Sequence, residues 1–309
     1  MKTALIIGRK NGAGLDQDAA LVAAVLHAQG WSVSHFGPRE WRGLFRRRVD
    51  VVIHLERVFP LWRWKARQHL IIPNQERFPT RHISRLRMVD HILCKSRHAL
   101  DVFSKLHPSV HFIGFTSNDR QLPEITPDYQ RFFHLAGRST LKGTEATLAA
   151  WRAHPEWPQL VLVQHPDNAP ASVPDNVTLI SRVVGDGELK ELQNRCGVHL
   201  CPSLSEGWGH YIVEAMSCRA VVVTTDGPPM NELIGPDRGV VVPPVRTEPR
   251  HLGINYHVDE PSLAVAVEKV LALNNEQKKQ TGDAARRWFE ANDRAFSHHL
   301  SRVLTELMR

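Results

Sequence analysis

The apolar positions of this chain fall into short runs separated by stretches of helical spacing. Thr3 to Gly8 (TALIIG) is almost wholly apolar and leads into Gly12 and Gly14; Asp16 to Gln29 then places Ala19, Ala20, Ala23, Ala24, Leu26 and Ala28 at helical intervals. That order predicts a strand, a tight loop and a helix with one buried face. Trp31 to Phe36 alternates, and Val49 to Leu55, Gln68 to Pro73 and His91 to Lys95 are short apolar runs, so four more strands are expected in the first half. Around Asn118 to Gln130 the periodicity lapses and two prolines interrupt the chain, as in a linker.

The pattern then repeats. Strands are predicted at Phe132 to Ala136, Gln159 to Gln164, Val177 to Ile180, Val198 to Cys201, Ala220 to Thr224 and Gly239 to Val242, and helices at Thr144 to His154, Asp186 to Cys196 and Tyr211 to Ser217. Two further helices follow Pro261, with Asp283 to Arg309 helical to the end. Short apolar strands alternating with helices imply parallel sheets covered on both faces. The expected fold class is α/β, with two doubly wound Rossmann-like domains facing a central cleft. The expected divisions are 1–125, 126–285 and a C-terminal helix over 286–309.

Composition supports a globular chain of two domains: 309 residues, 42% hydrophobic and 23% charged, with mean hydropathy -0.29. No apolar run approaches the roughly 18 residues of a spanning helix, and Met1 to Gly8 is too short for a signal peptide. The four cysteines, Cys94, Cys196, Cys201 and Cys218, form no CxxC pair, so a cytoplasmic protein with reduced thiols is expected. Charge changes this picture: residues 1–120 hold 20 Lys and Arg against 9 Asp and Glu, whereas residues 121–309 hold 19 against 23. The basic first half suits an anionic partner, whether nucleic acid, an acidic membrane surface or a charged acceptor. Trp41 to Lys65, with Arg42, Arg46, Arg47, Arg48 and Arg63 among Trp41, Phe45, Trp62 and Trp64, is where such contact is expected, unless it is a solvated face.

The densest chemistry lies in Pro202 to Leu233 (PSLSEGWGHYIVEAMSCRAVVVTTDGPPMNEL). Glu206 stands in a glycine-rich loop and Glu214 on the helix that the loop opens, so both can face one ligand. Gly207 and Gly209 admit close backbone approach, and the helix start offers free N–H donors to anionic groups. This stretch resembles the retaining GT-B glycosyltransferases of the glycosyltransferase 4 group, whose signature is Glu, seven residues, Glu within PSxxEGxG. The resemblance implies that Glu206 contacts the donor sugar near the reacting carbon and Glu214 the nucleotide ribose, with Gly207, Trp208 and Gly209 around the donor. His210 replaces a common Leu and is expected at the sugar pocket. HLAGRSTLKG, from His134 to Gly143, resembles the family's GRxxxxKG segment with one residue fewer, which makes Arg138 and Lys142 the cations that clamp the donor diphosphate. Gly12 and Gly14 correspond to the family's amino-terminal glycine loop, which the resemblance implies contacts the donor from across the cleft, although any doubly wound domain needs such a turn. Asp226 and Glu232 occupy the place of another loop near the donor, and the resemblance implies that the helix over 286–309 packs back on the first domain.

On the acceptor side, predicted strand ends offer His54, Glu56 and the Asn74-Gln75-Glu76 loop. Asp16 and Asp18 read as helix-start acids that stabilise the dipole, and not as a metal-binding DxD pair. Without HExxH, and with no carboxylate to complete His107/His111 or His298/His299, no metal or resident cofactor is expected. The expected activity is transfer of a sugar, with retention, from a nucleotide-diphosphate sugar (a UDP- or GDP-sugar) to an acceptor hydroxyl on a lipid-linked saccharide, a polysaccharide or a modified nucleic acid. Peripheral contact with the inner membrane surface would accompany a lipid-linked acceptor. The rival readings are a GT-B phosphorylase or epimerase, and a basic nucleic-acid-binding protein without catalysis.

Overall fold

Two six-stranded sheets organise the chain, and every neighbouring pair of strands within them is parallel. The structure, a computed structural model, describes all residues except Asn11, Ala13 and Arg309; part of the predicted glycine loop and the last residue of the predicted terminal helix therefore lie outside the described residues. The first sheet is built from β1 (Thr3–Ile7), β2 (Ser32–Phe36), β3 (Val49–Glu56), β4 (Ala66–Pro73), β5 (His91–Cys94) and β6 (Val110–Phe112), with helices α1 (Gly14–Ala28) and α2 (Arg97–Phe103). Its order is β2-β1-β3-β4-β5-β6. Val51, Val52, Ile53, Leu55, Leu70, Ile71 and Ile72 are all buried, which requires cover on both faces and explains why these strands read as unbroken apolar runs.

The second sheet comprises β7 (Asp128–Gly137), β8 (Leu160–Gln164), β9 (Val177–Ile180), β10 (Cys196–Cys201), β11 (Val221–Thr225) and β12 (Gly239–Val242), in the order β12-β11-β10-β7-β8-β9. Its helices are α3 (Thr144–Ala153), α4 (Asp186–Arg195), α5 (His210–Ser217) and the short α6 (Met230–Leu233). A hairpin of β13 (Arg246–Arg250) and β14 (Gly253–His257) precedes α7 (Glu260–Leu271) and α8 (Asn275–Leu307). On one face Phe132, Leu160, Val198 and Val221 pack with Trp151, Leu263, Val267 and Val270. On the other, Phe133, Val163 and Cys196 meet Leu189 and Leu192. The α/β class with two doubly wound sheets is as predicted.

The chain divides into two compact units. One comprises Met1–Asn118, Pro249–Ile254 and Asn292–Arg309, the other Asp119–Glu248 and Asn255–Ala291. Five features differ from the predicted elements. Strand β6, helices α2 and α6 and the β13–β14 hairpin were not anticipated, and β7 starts at Asp128, inside the stretch that reads as a linker. Tyr129 accounts for the last: it is buried, packs on Gly197, where a β-carbon would strike its ring, and donates its hydroxyl to the Arg219 carbonyl at 3.1 Å. All four cysteines are free and buried, and burial pushes Cys94, for example, up to about 12. No helix among the described residues is long and apolar enough to cross a membrane.

Candidate active site

The order of the second sheet reverses between β7 and β10. At such a reversal the loops that leave the two strands diverge and open a crevice at their carboxyl ends, where ligands bind in open α/β sheets. Those loops, residues 138–143 and 202–209, are the two segments that carry the predicted donor site.

Several side chains bring the loops together. His134 on β7 is fully buried, with Nδ1 2.8 Å from the Leu200 carbonyl and Nε2 3.0 Å from Thr144 Oγ1. Burial, with the Lys142 charge as a lesser cause, lowers its pKa to about 4, so the ring is neutral. A carbonyl only accepts, so Nδ1 carries the proton and Nε2 accepts from Thr144. The ring thereby ties β7 to β10 and to the first residue of α3. Gly143 has φ +72°, and a β-carbon there would collide with the Pro202 carbonyl; only glycine allows this approach. The Leu204 N–H donates to the Leu141 carbonyl at 2.9 Å, while the Thr225 hydroxyl donates to the Ser203 carbonyl and Thr224 to Cys201, each at 2.8 Å.

These restraints place Lys142 Nζ 2.6 Å from Glu206 Oε1, with 18% and 16% of the two side chains exposed. The Ser203 hydroxyl donates to the same carboxylate oxygen at 2.6 Å. Its proton thus committed, Ser203 Oγ accepts from the Tyr211 hydroxyl at 2.6 Å. Burial raises the Tyr211 pKa well above its ordinary value, which keeps that donor protonated. The Lys142 ammonium also lies 3.5 Å from the centre of the Tyr211 ring, so it is stabilised on two sides.

Gly209, with φ +107°, opens α5. Of that helix's eight residues only His210 and Glu214 escape burial. Four positions apart, they share one helix face. Behind Glu214, Gln193 Nε2 donates to Glu214 Oε2 at 3.4 Å, and Arg120 Nε donates to Gln193 Oε1 at 2.8 Å. Gly207 and Trp208 are buried in the loop beside Glu206. Arg138 stands exposed just past β7, its carbonyl accepting from Asn168 Nδ2 at 2.8 Å. In the loop after β11, Asp226 Oδ1 accepts from Asn231 Nδ2 at 2.9 Å, and Glu232 follows on α6. Gly227 packs beneath the Tyr256 ring, and the Tyr256 N–H donates to the Leu204 carbonyl at 2.7 Å, so β14 secures both loops. Ser203, Tyr211, Gln193, Arg120 and Tyr256 received no role from sequence. Ser203 lay within the signature; the others carried no distinguishing pattern.

In the first unit the sheet order turns at β1 and β3. The loop after β1 holds Gly12, with φ +65° and its N–H donating to Asp16 Oδ2 at 2.5 Å, and Gly14 begins α1. Asp16 is thus a helix-start acid, but Asp18 is not: it is buried, 2.5 Å from Lys95 Nζ. At the end of β3 Glu56 is nearly buried, 2.9 Å from Arg57 Nε, and adopts φ +66°. That is a strained conformation for a residue with a β-carbon, of the kind concentrated at functional sites. His54 is a correction to the acceptor-side expectation. It lies inside the sheet, with Nε2 3.3 Å from His69 Nδ1, and burial lowers its pKa to about 3. Asn74 opens a turn in which Gln75 and Glu76 are buried, with Leu252 N–H donating to the Gln75 carbonyl at 3.1 Å and Gly253 against the Glu76 backbone. Among the described residues no group of three or more His, Cys, Asp or Glu is placed to hold a metal ion.

Comparison with known proteins bears on both levels. The whole chain is similar in fold to sucrose-phosphate synthase from Thermosynechococcus elongatus, with a TM-score of 0.75, 15% identity and 99% of each chain covered. It is similar also to Anabaena HepE in complex with UDP and glucose (TM-score 0.72, 12% identity, 99% of each chain) and to OtsA (TM-score 0.71, 11% identity, 100% of this chain and 99% of that one). No curated protein matches the sequence. Residues 170–288 match the family described as Glycosyl transferases group 1. The fold is therefore of the GT-B type over the full chain, and the sequence match falls on the part of the second unit that holds Glu206, His210 and Glu214.

Proposed function

We propose that this chain is a retaining glycosyltransferase that moves a sugar from a UDP- or GDP-sugar to an acceptor hydroxyl, with residues 126–285 binding the donor and residues 1–125 the acceptor. The observation that carries the reading is the meeting of Lys142 and Glu206 at 2.6 Å, at the switch point of the second sheet and beside the open His210 and Glu214 face of α5. A carboxylate suits sugar hydroxyls, and a cation next to it suits the diphosphate to which the sugar is joined. The group 1 match over residues 170–288 supports it, as does the likeness of fold to HepE, a protein seen with UDP and glucose.

In this reading Glu214 takes the ribose and Glu206 the sugar, with His210 beside it. Arg138 and Lys142 take the diphosphate. Transfer breaks the bond from the anomeric carbon to the phosphate oxygen and forms one to the acceptor oxygen on the same face. The acceptor proton passes to the departing phosphate. Charge grows on that phosphate as the bond stretches, and preorganised cations there lower the barrier. Glu56 and Asn74, at the carboxyl ends of β3 and β4, are the acceptor-side candidates that remain at strand ends.

The test is a thermal-shift screen against UDP, GDP, ADP, TDP and their sugar conjugates. A ligand that binds only the folded state raises stability by about 2.7 kcal/mol at one hundred times its dissociation constant. One nucleotide should stabilise the protein, and Arg138→Ala should lose that response while still folding. No shift with any nucleotide would sink the proposal and bring forward the basic first unit as a nucleic-acid binder.

A further inference from the structure

The His54–His69 and Lys95–Asp18 pairs are enclosed by protein, but one face of the first unit presents large apolar side chains to solvent. Among the exposed large hydrophobic side chains, Trp41 (63%), Phe45 (81%), Leu61 (56%) and Trp64 (69%) all come from two short segments. Each segment is a 3-10 turn, Trp41–Phe45 and Pro60–Trp62, the second continuing into β4.

Their proximity is built in. Gly43 packs against Trp62 and Phe36 so tightly that a β-carbon would lie 2.5 Å from the Trp62 ring. The Trp62 indole donates to the Pro38 carbonyl at 3.0 Å. The buried Lys65 ammonium donates to the Leu44 carbonyl at 3.2 Å and to that of Arg46, which fastens the first turn to the second. Leu44, Phe59 and Trp62 face inward onto Leu5, Phe36 and Val52. With those rings spent on the core, the outward ones form a separate surface.

That surface is basic as well as apolar. Neither Trp41 to Val49 nor Arg57 to Gln68 contains an acidic residue, and Arg42, Arg46, Arg47 and Arg63 are exposed. Beside it, at the amino ends of β1, β2 and β3, a cavity of about 340 Å³ is lined by Ser32, Ser34, Arg46, Arg47 and Arg48. Arg46 belongs to both, and its guanidinium donates to Ser34 Oγ at 3.0 Å. A headgroup phosphate fits this chemistry, since guanidinium and hydroxyl groups both donate to phosphate oxygens.

We infer that this face docks the first unit on an anionic lipid bilayer, with Trp41, Phe45, Leu61 and Trp64 in the interfacial layer and the arginines on headgroup phosphates. Indole rings and arginines together are the composition of membrane interfaces. Nucleic acid is the weaker fit. The rings already carry cations of their own, Arg63 4.1 Å from the Trp64 ring centre and Arg42 5.9 Å from that of Trp41, which takes up ring faces that bases would need. Phe45 and Leu61, meanwhile, offer a nucleic acid no hydrogen bond. The inference stands whether or not the chain transfers sugars.

The experiment is flotation of the full chain with vesicles of phosphatidylcholine, alone or mixed with phosphatidylglycerol. Binding is expected only with the mixed vesicles, weakening as salt rises. Arg42→Gln and Arg63→Gln should each weaken it about fivefold. Trp41→Ser with Trp64→Ser should reduce the binding that persists in high salt, and all variants should keep the parent melting temperature. Absence of binding, binding that none of these variants alters, or tighter binding to a single-stranded oligonucleotide than to mixed vesicles would overturn the proposal.

Discussion

Replacing Glu206 with Gln separates the two roles assigned to the Lys142–Glu206 pair. In the free protein the Lys142 ammonium is engaged by Glu206 at 2.6 Å, with less than a fifth of either side chain exposed. A diphosphate that recruits Lys142 must compete with that carboxylate. A hydrogen bond to a charged group is worth about 1.5–3 kcal/mol in net terms. The Gln oxygen still accepts from Lys142, and Ser203 still donates to position 206, so the substitution should remove about half of that, roughly 0.8–1.5 kcal/mol. Since 1.4 kcal/mol is a factor of ten, UDP, the nucleotide without the sugar, should bind Glu206→Gln about four to ten times more tightly than the parent. Lys142→Gln should instead weaken UDP about tenfold or more, because a charge-assisted contact to phosphate is lost. Transfer should fall in both variants, by about a hundredfold when transition-state stabilisation goes. Titration calorimetry with UDP, or with whichever nucleotide raises the melting temperature, reads the first effect, and initial rates of sugar transfer the second. If Glu206→Gln weakens UDP as much as Lys142→Gln does, the carboxylate is no competitor for the lysine, and the division of sugar and phosphate between them is wrong.

Two further outcomes concern stability. His54, His134 and His199 are neutral in the fold, with pKa values lowered chiefly by burial to about 3, about 4 and about 4. In the unfolded chain they titrate near about 6.5, so below that pH the unfolded state binds more protons and stability falls, by up to about 1.4 kcal/mol per pH unit for each histidine between about pH 6.5 and 4. Urea titrations across that range should show the loss, with a shallower slope in His134→Gln; a flat profile would mean these rings are protonated in the fold. Lys95→Met removes the cation 2.5 Å from the buried Asp18 carboxylate inside the first unit and should cost about 3–5 kcal/mol, most of which Asp18→Leu in the same chain should restore. Equal stability of parent and Lys95→Met in urea would show that the pair contributes nothing.

The strands of both sheets were legible because burial on two faces leaves an unbroken apolar run, whereas β6 and β13 were not, since Val110–Phe112 is three residues long and Arg246–Arg250 (RTEPR) has no apolar face. The same reasoning explains the site. Glu206 and Glu214 could be read because a loop and the helix it opens fix the relation between them locally. What presses Lys142 onto Glu206 could not: His134, Thr144, Gly143 and Pro202 act across the turn of the sheet, and a buried histidine looks the same in sequence as an exposed one. Depth along a strand was equally hidden. A β3 that stops at Leu55 puts His54 next to the rim, but the strand continues to Glu56, and that single residue moves the histidine into the core beside His69. The positive φ then falls on Glu56, at the rim and at the turning point of the first sheet. Of the two polar side chains the sequence offered on β3, strain and topology both select the carboxylate, which makes Glu56 the first acceptor-side position to substitute.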